Sequence, residues 1–375
     1  MTNSNKLAVA EALDSAQSGG SLLVCESAEK SLRCCLDRMF ERGDLVRPAP
    51  SSYARSDYWQ GLSPVQRHVH VVRALAAKHP GWVFCGVTAA AVLGYDPTWA
   101  LLGKVHVAGD VGHRKYETGL VKPHELGEYE VLDVNGVLVT VPSRTVFDCI
   151  RTVPFADGLA IADCATRLNA WSDDCVASIV DDFAQRGRHH GIRRAREVAL
   201  LVDGRAESGG ESIARANMVR AGFEVPELQI NIEDALDPQK TYRVDFGWLV
   251  AETGLIVGEL DGRQKYLDNK MTGGDDLADV LLRERLRESR ISATASRIVR
   301  FSYEQARNPA VLAQILDAFG VPRMGKGARR RDAEPGLTRT GFRRLEHTRY
   351  LTIGSFDIFA ERLAPATPIK LSLGA

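Results

Sequence analysis

Several broad protein classes are excluded by what this chain lacks. No apolar run approaches the ~18–20 residues that a membrane-spanning helix needs. The opening residues, MTNSNKLAVAEAL, do not have the basic-then-apolar layout of a secretory signal. Seven cysteines stand scattered at 25, 34, 35, 85, 149, 164 and 175 without a CxxC. They read as small core residues in a reducing compartment. Net charge is missing as well, since 48 basic residues balance 48 acidic ones. No global field therefore draws the chain to nucleic acid, and such a contact must come from local patches. These absences predict a cytoplasmic protein with no membrane partner. At 375 residues, 45% hydrophobic and 26% charged, the chain is long enough for two or three ordinary globular domains.

The most informative stretch is Tyr242–Tyr266, YRVDFGWLVAETGLIVGELDGRQKY. Tyr242, Val244, Phe246, Trp248 and Val250 alternate with Arg243, Asp245, Gly247 and Leu249, the period of a strand. In a second run Leu255, Val257, Glu259 and Asp261 share one face. A carboxylate at the end of an apolar strand costs desolvation energy unless something pairs with it. Asp245, Glu259 and Asp261 crowd one hairpin, and a divalent cation is the partner that best uses them. A five-residue loop, Val250–Gly254, sets Leu249 against Leu255 and Asp245 across from Glu259, whereas a four-residue loop turns Asp245 to the other face. The competing reading is a structural acid near the hairpin end, paired with Arg243 or Arg263. No Cys or His lies near Asp245, which suits a hard cation, Mg²⁺ or Mn²⁺, rather than zinc. Such an ion would lower the pKa of a bound water and stabilise charge in phosphodiester hydrolysis. Without it the acids should repel, so Glu259→Gln is expected to raise the melting temperature of the metal-free protein.

These residues, with Gly210-Glu211-Ser212, the helical RERLRES (Arg283–Ser289) and RIVRF (Arg297–Phe301), resemble the PD-(D/E)XK nuclease superfamily. The likeness is to its branch similar to very-short-patch-repair endonucleases and covers Glu207–Arg323. It implies an α/β/α nuclease-like domain over residues 205–322, with Asp245, Glu259 and Glu211 as metal ligands. The superfamily's lysine is replaced by Asp261, a departure that puts catalysis in doubt. Lys265 could substitute from the next loop, or be an ordinary solvated lysine. The implied catalytic set is Asp245, Glu259, Asp261 and Lys265. The helix Asp276–Arg290 should turn Leu277, Val280, Leu281 and Leu286 inward, with Glu284 and Arg287 in a structural network or on a DNA backbone.

Residues 1–60 read as a winged helix-turn-helix. Lys6–Gln17 is a helix, Ser18–Ser21 a turn and Ala28–Arg42 a second helix ended by Gly43. On that helix Leu32, Cys35, Leu36 and Met39 form an apolar stripe opposite Lys30, Arg33, Arg38 and Arg42. Asp44–Arg47 and Ser52–Ala54 make a hairpin wing. Lys30, Arg33, Arg38, Arg42 and Arg47 are the candidate DNA contacts, the helix entering the major groove. The alternative is a helical cap that only packs on the next domain.

Residues 61–200 read as an α+β middle domain, with helices over His68–His79, Gly86–Leu93 and Pro142–Arg151 and strands over Val105–Ala108 and Tyr129–Val141. GWVFCGVTAAAVLGY followed by VPSRTVFDCI, behind a winged helix, resembles the AbiEi antitoxins of type IV toxin–antitoxin systems over residues 20–200. That likeness implies a transcriptional autorepressor or an antitoxin with a toxin protein partner. His68 and His70, at i and i+2 on a helix, do not share a face and are set aside as a metal pair. Arg144 and Asp148 suggest an exposed ion pair, and Asp163 a scaffold residue. Gln185–Arg196 is a basic run, either a solvated linker or a phosphate contact. Residues 323–375 form a basic tail expected to be partly disordered. From Arg323 to Arg349, nine Lys/Arg against three Asp/Glu give +6.

Two readings follow for this α/β multidomain chain. One is a Mg²⁺-dependent DNA endonuclease targeted by the winged helix. The other is a DNA-binding regulator or antitoxin whose nuclease-like domain is a scaffold.

Overall fold

The computed structural model describes residues 3–25, 30–109, 119–172, 174–234, 236–237, 239–250, 254–261 and 277–324. Lys265 and the basic tail beyond Met324 lie outside the described residues. The chain is mixed α/β and divides into two compact units, the first through Ile213 and the second from Ala214.

The first unit opens with α1 (Asn3–Ser18), β1 (Leu23–Val24), α2 (Lys30–Glu41), β2 (Leu45–Ala49) and β3 (Ser52–Arg55). The strands form a sheet in the order β1-β3-β2. Cys35 and Leu36 of α2 are buried with Val9, Leu13, Tyr53 and Leu45, and Leu32 and Met39 pack against them, so the apolar stripe faces this small core. The short helix α3 (Ser56–Gly61) leads into α4 (Pro64–Lys78). A capping box starts α4: Ser63 Oγ accepts from the Gln66 amide, and Gln66 Oε1 accepts from the Ser63 amide at 2.8 Å. Val71, Val72 and Leu75 of α4 share one apolar cluster with Leu22, Ala49 and Ala54 on one side and Phe84, Val107 and Val139 on the other. The N-terminal sheet and the region after residue 60 are thus joined through a common core.

β4 (Val83–Phe84), α5 (Gly86–Val92), β5 (Val105–Ala108), β6 (Val121–His124), β7 (Val131–Val134) and β8 (Val137–Thr140) follow. Their strands assemble as β6-β5-β4-β8-β7. The single strand expected over Tyr129–Val141 is instead a hairpin. Asn135 (φ 52°) and Gly136 (φ 80°) form its two-residue turn, and Val134 pairs with Val137. Both turn positions need positive φ, which Asn-Gly supplies at little cost, so this sequence signal was present at the bend.

Helices α6 (Pro142–Thr152), α7 (Phe155–Leu168), α8 (Cys175–Arg186) and α9 (Ile192–Ala199) complete the first unit, and its boundary falls inside α10 (Gly209–Arg220). The Arg144–Asp148 pair corrects an expectation: both side chains are only 6% exposed. Arg144 Nε donates to Asp148 at 2.7 Å, and its other nitrogens donate to the Glu128 and Leu126 carbonyls, clamping the segment before β7 onto α6. The basic run Gln185–Arg196 is not a solvated linker either. Its second half winds into α9, where Arg194 donates to the Val153 carbonyl at 3.0 Å. Arg186, Arg193 and Arg196 pair with Asp182, Glu197 and Asp181.

The second unit is built on β9 (Glu227–Glu233), β10 (Thr241–Val250), β11 (Gly254–Asp261), α11 (Leu277–Ile291), β12 (Arg297–Ser302), α12 (Tyr303–Arg307) and α13 (Pro309–Ala318). The sheet runs β12-β11-β10-β9, with β12 parallel to β11 and the other pairs antiparallel. The hairpin and the return strand agree with the expected mixed sheet. β9 was not anticipated.

β10 departs from simple alternation. Val257 and Ile298 are paired and mark one face of the sheet, where Tyr242 and Val244 join their cluster with Ile291 and Ala295. Phe246, two residues further on, stacks instead on Trp248 and Phe301 at 6.5 and 5.9 Å. Phe301 pairs with Leu260 and so belongs to the opposite face from Val257. The alternation slips at Asp245. β9 slips with it: Val244 pairs with Ile230 and Phe246 with Leu228, and the intervening Gln229 has φ 53°. A paired irregularity of this kind bends both strands and redirects the side chain at the bend.

Candidate functional site

Asp245 sits at that bend. Gly247 pairs with Val257 and Leu249 with Leu255, the register that the odd loop requires. The last pair between β10 and β11 is Phe246 with Gly258, and Asp245 lies just beyond it, where the strand slips. Its Oδ2 accepts from the Leu260 amide at 2.8 Å, tying the bent strand to its neighbour.

Glu259 is buried, at 7% exposure, with both carboxylate oxygens engaged by arginine. Arg287 of α11 donates to Oε1 at 2.5 Å, and Arg300 of β12 donates to Oε2 at 2.8 Å. The parallel register places Arg300 directly beside Glu259. Glu284 closes the lattice, accepting from Arg287 at 3.1 Å and from Arg300 at 2.5 Å. Arg287 also donates to the Arg243 carbonyl at 2.9 Å. Asp261, 45% exposed, lies 3.9 Å from Arg300. Burial pulls the Arg300 guanidinium down, but its bond to Glu284 and the charges of Glu259 and Asp261 outweigh that and hold it above its ordinary value. Burial likewise pushes Glu284 up, and the two arginines overcome it to leave this carboxyl below its usual range. Carboxylate and guanidinium alternate around this lattice, so each buried charge meets an opposite one.

α11 consequently faces the sheet with charge. Arg287 reaches Glu259 and Glu284 reaches Arg300, while Leu286, expected inward, is 53% exposed and Leu282 56%. Among the described side chains of α11, the buried apolar residue is Ile291, while those of Leu277, Val280 and Leu281 lie outside the described residues. Of the two arginines expected to pair with a hairpin acid, Arg263 lies outside the described residues, and Arg243 reaches the lattice around Glu259 through its carbonyl. The true partners come from a helix and a strand further along the chain. Arg300 was not singled out by sequence, although RIVRF places it between the apolar Val299 and Phe301 of a strand.

Glu211 belongs to the first unit and serves its helix. Ser208 Oγ donates to Glu211 Oε1 at 2.7 Å and accepts from the Glu211 amide at 3.2 Å, while Glu211 Oε2 accepts from the Glu207 amide at 2.9 Å. This is a Ser-x-x-Glu cap at the start of α10. Glu211→Gln, which preserves such a cap, should leave the urea midpoint nearly unchanged. Glu211→Ala should cost about 1 kcal/mol. A large loss in the glutamine variant would show that the charge, not the cap, is what matters.

The N-terminal candidates divide. Arg33 and Arg38 are exposed on α2. Arg42 pairs with Asp44 at 3.5 Å. Arg47 lies 3.7 Å from Asp37, with its guanidinium 4.8 Å above the Phe40 ring. The side chain of Lys30 lies outside the described residues.

Among the described residues, no group of three or more His, Cys, Asp or Glu is placed to hold a metal ion. None of their helices is long and apolar enough to cross a membrane. No protein-family model and no solved structure matches the chain. Uncharacterized proteins from two strains of Mycobacterium tuberculosis are each 36% identical to it over 168 residues, 44% of this chain and 58% of the relative. The match thus spans under two thirds of the length of those relatives.

Proposed function

We propose that this chain is a DNA-binding regulator of the antitoxin kind, with a toxin protein as partner, whose second unit is a nuclease-like scaffold rather than a catalyst. The observation that carries the scaffold reading is the arginine pair on Glu259. A divalent cation needs free carboxylate oxygens. Glu259 gives both of its oxygens to arginine, Glu211 uses both in a helix cap, and Asp245 accepts from a backbone amide. The residues present do not fit the metal centre that the resemblance implies, and Asp261 stands where the superfamily places its lysine. DNA binding is supported by the exposed Arg33 and Arg38 on α2 and by the β1-β3-β2 sheet beside it, a helix-and-wing arrangement.

Plasmid DNA incubated with and without Mg²⁺ should remain uncut by the wild type and by Asp245→Ala alike. The same protein should bind duplex DNA with a log–log salt dependence. Replacing Arg33 and Arg38 by Ala should lower that slope by about 0.9 per lost phosphate contact. Mg²⁺-dependent cleavage that Asp245→Ala abolishes would restore the endonuclease reading. An unchanged salt slope would make α2 a packing element.

A further inference from the structure

The acidic residues on α2 dilute its positive face, and one of them is placed unlike the rest. Asp37 is half-buried, and its Oδ1 accepts from the Tyr53 hydroxyl at 2.7 Å. Tyr53 is 1% exposed on β3, and burial, then the Asp37 carboxylate, holds its phenol above the ordinary range. The same Oδ1 lies 3.7 Å from Arg47 on β2. Arg47 also covers the ring of Phe40, at 4.8 Å, on the next turn of α2. One carboxylate therefore fastens the helix to both strands of the wing. Arg33 precedes Asp37 by one helical turn, so Arg33 and the captured Arg47 flank it. Arg38 follows on the exposed side.

We infer that Asp37 is a positioning residue that lays Arg47 of the wing against α2, so that Arg33, Arg38 and Arg47 meet the phosphate backbone of duplex DNA as one surface. This rests on the DNA-binding reading above and goes further, since it gives an acidic residue on the DNA-facing helix a favourable role. An arginine on a flexible stem loses conformational freedom when it binds phosphate. Holding it in place beforehand reduces that loss. Tyr53 fixes the carboxylate and Phe40 supports the guanidinium plane, so Arg47 is held on two sides.

The test is a double-mutant cycle between Asp37→Asn and Arg47→Ala, in the full chain, on a mixed-sequence DNA duplex across a salt series. Asparagine keeps an oxygen for the Tyr53 hydroxyl and removes the ion pair with Arg47. Simple electrostatics predicts that losing a negative charge near DNA tightens binding. Positioning predicts the opposite: Asp37→Asn weakens binding severalfold and lowers the salt slope toward that of Arg47→Ala, about 0.9 below wild type. The double variant should then bind no worse than Arg47→Ala alone. Asp37→Glu should recover part of the loss. Tighter binding by Asp37→Asn, or fully additive losses, overturns the inference while leaving DNA binding standing. A wild type with no salt-dependent binding overturns both, and an unchanged melting temperature for Asp37→Asn separates either result from misfolding.

Discussion

Glu259→Gln should destabilise the second unit by about 3 kcal/mol, because it takes from two guanidinium groups the more deeply buried of the two carboxylates they share. Repulsion among Asp245, Glu259 and Asp261 would give the opposite sign, and that was the expectation from sequence. Arg287 and Arg300 reverse it: at 2.5 and 2.8 Å they bring two positive charges to Glu259, and Glu284 balances them. The arginine side chains are 27% and 23% exposed, so some penalty is relieved by water and the loss sits at the low end of the range for buried pairs. Urea unfolding followed by Trp248, which lies in the second unit with 1% exposure, reports this transition. Adding millimolar Mg²⁺ should shift neither the wild type nor the variant. A glutamine variant as stable as wild type, or more so, would mean that the arginines do not compensate the acids.

Acid should weaken the first unit well before ordinary carboxylates titrate. Burial lowers the imidazole of His68 from 6.5 to about 4, and burial with the neighbouring His124 lowers His106 to about 3. His70 and His124 are lowered too, again chiefly by burial. In each case the unfolded chain takes up the proton more readily than the folded one. The stabilising contribution is complete above pH 6.5 and falls away as pH drops toward the folded values. His68 alone, 7% exposed, accounts for roughly 2 kcal/mol between pH 7.5 and pH 5. The four imidazoles together should make the loss larger. His68→Gln, which can still meet Thr88 Oγ1, should flatten the profile in proportion. Unfolding midpoints that do not move between pH 7.5 and 5 would show these histidines to be hydrated.

Local pattern was legible in the sequence wherever one element decided its own form. The stripe of Leu32, Cys35, Leu36 and Met39 follows helical spacing and packs as that spacing requires. The two strands around Asp245 and Glu259 were legible as a hairpin, whereas the choice between its two loop lengths and the slip at Asp245 were not. What could not be read was set by distant partners. Arg300 lies 41 residues from Glu259 and reaches it only because β12 pairs in parallel beside β11. α11 presents charge inward because its counter-charges sit on that sheet, so Leu286 is displaced to the surface despite its hydrophobicity. Glu211 looked like a ligand by motif, yet the serine three residues before it already made a capping signature. The Arg144–Asp148 spacing gave the pair but not its burial, which comes from the Leu126 and Glu128 carbonyls.

The slip at Asp245 also limits how the sheet can be assembled. A uniform strand may slide by two residues and keep every side chain on its own side. β10 has no such freedom, because its first half serves the cluster of Val257 and Ile291 and its second half that of Phe301. Gln229 bends at the matching place in β9, and the Asp245 carboxylate is fastened to the Leu260 amide. Any displaced pairing would put the two bends out of step and part Ile230 from Gly247, whose lack of a Cβ makes room for the Ile230 side chain. The strand is cut like a key with a single notch, and during folding it turns in one lock.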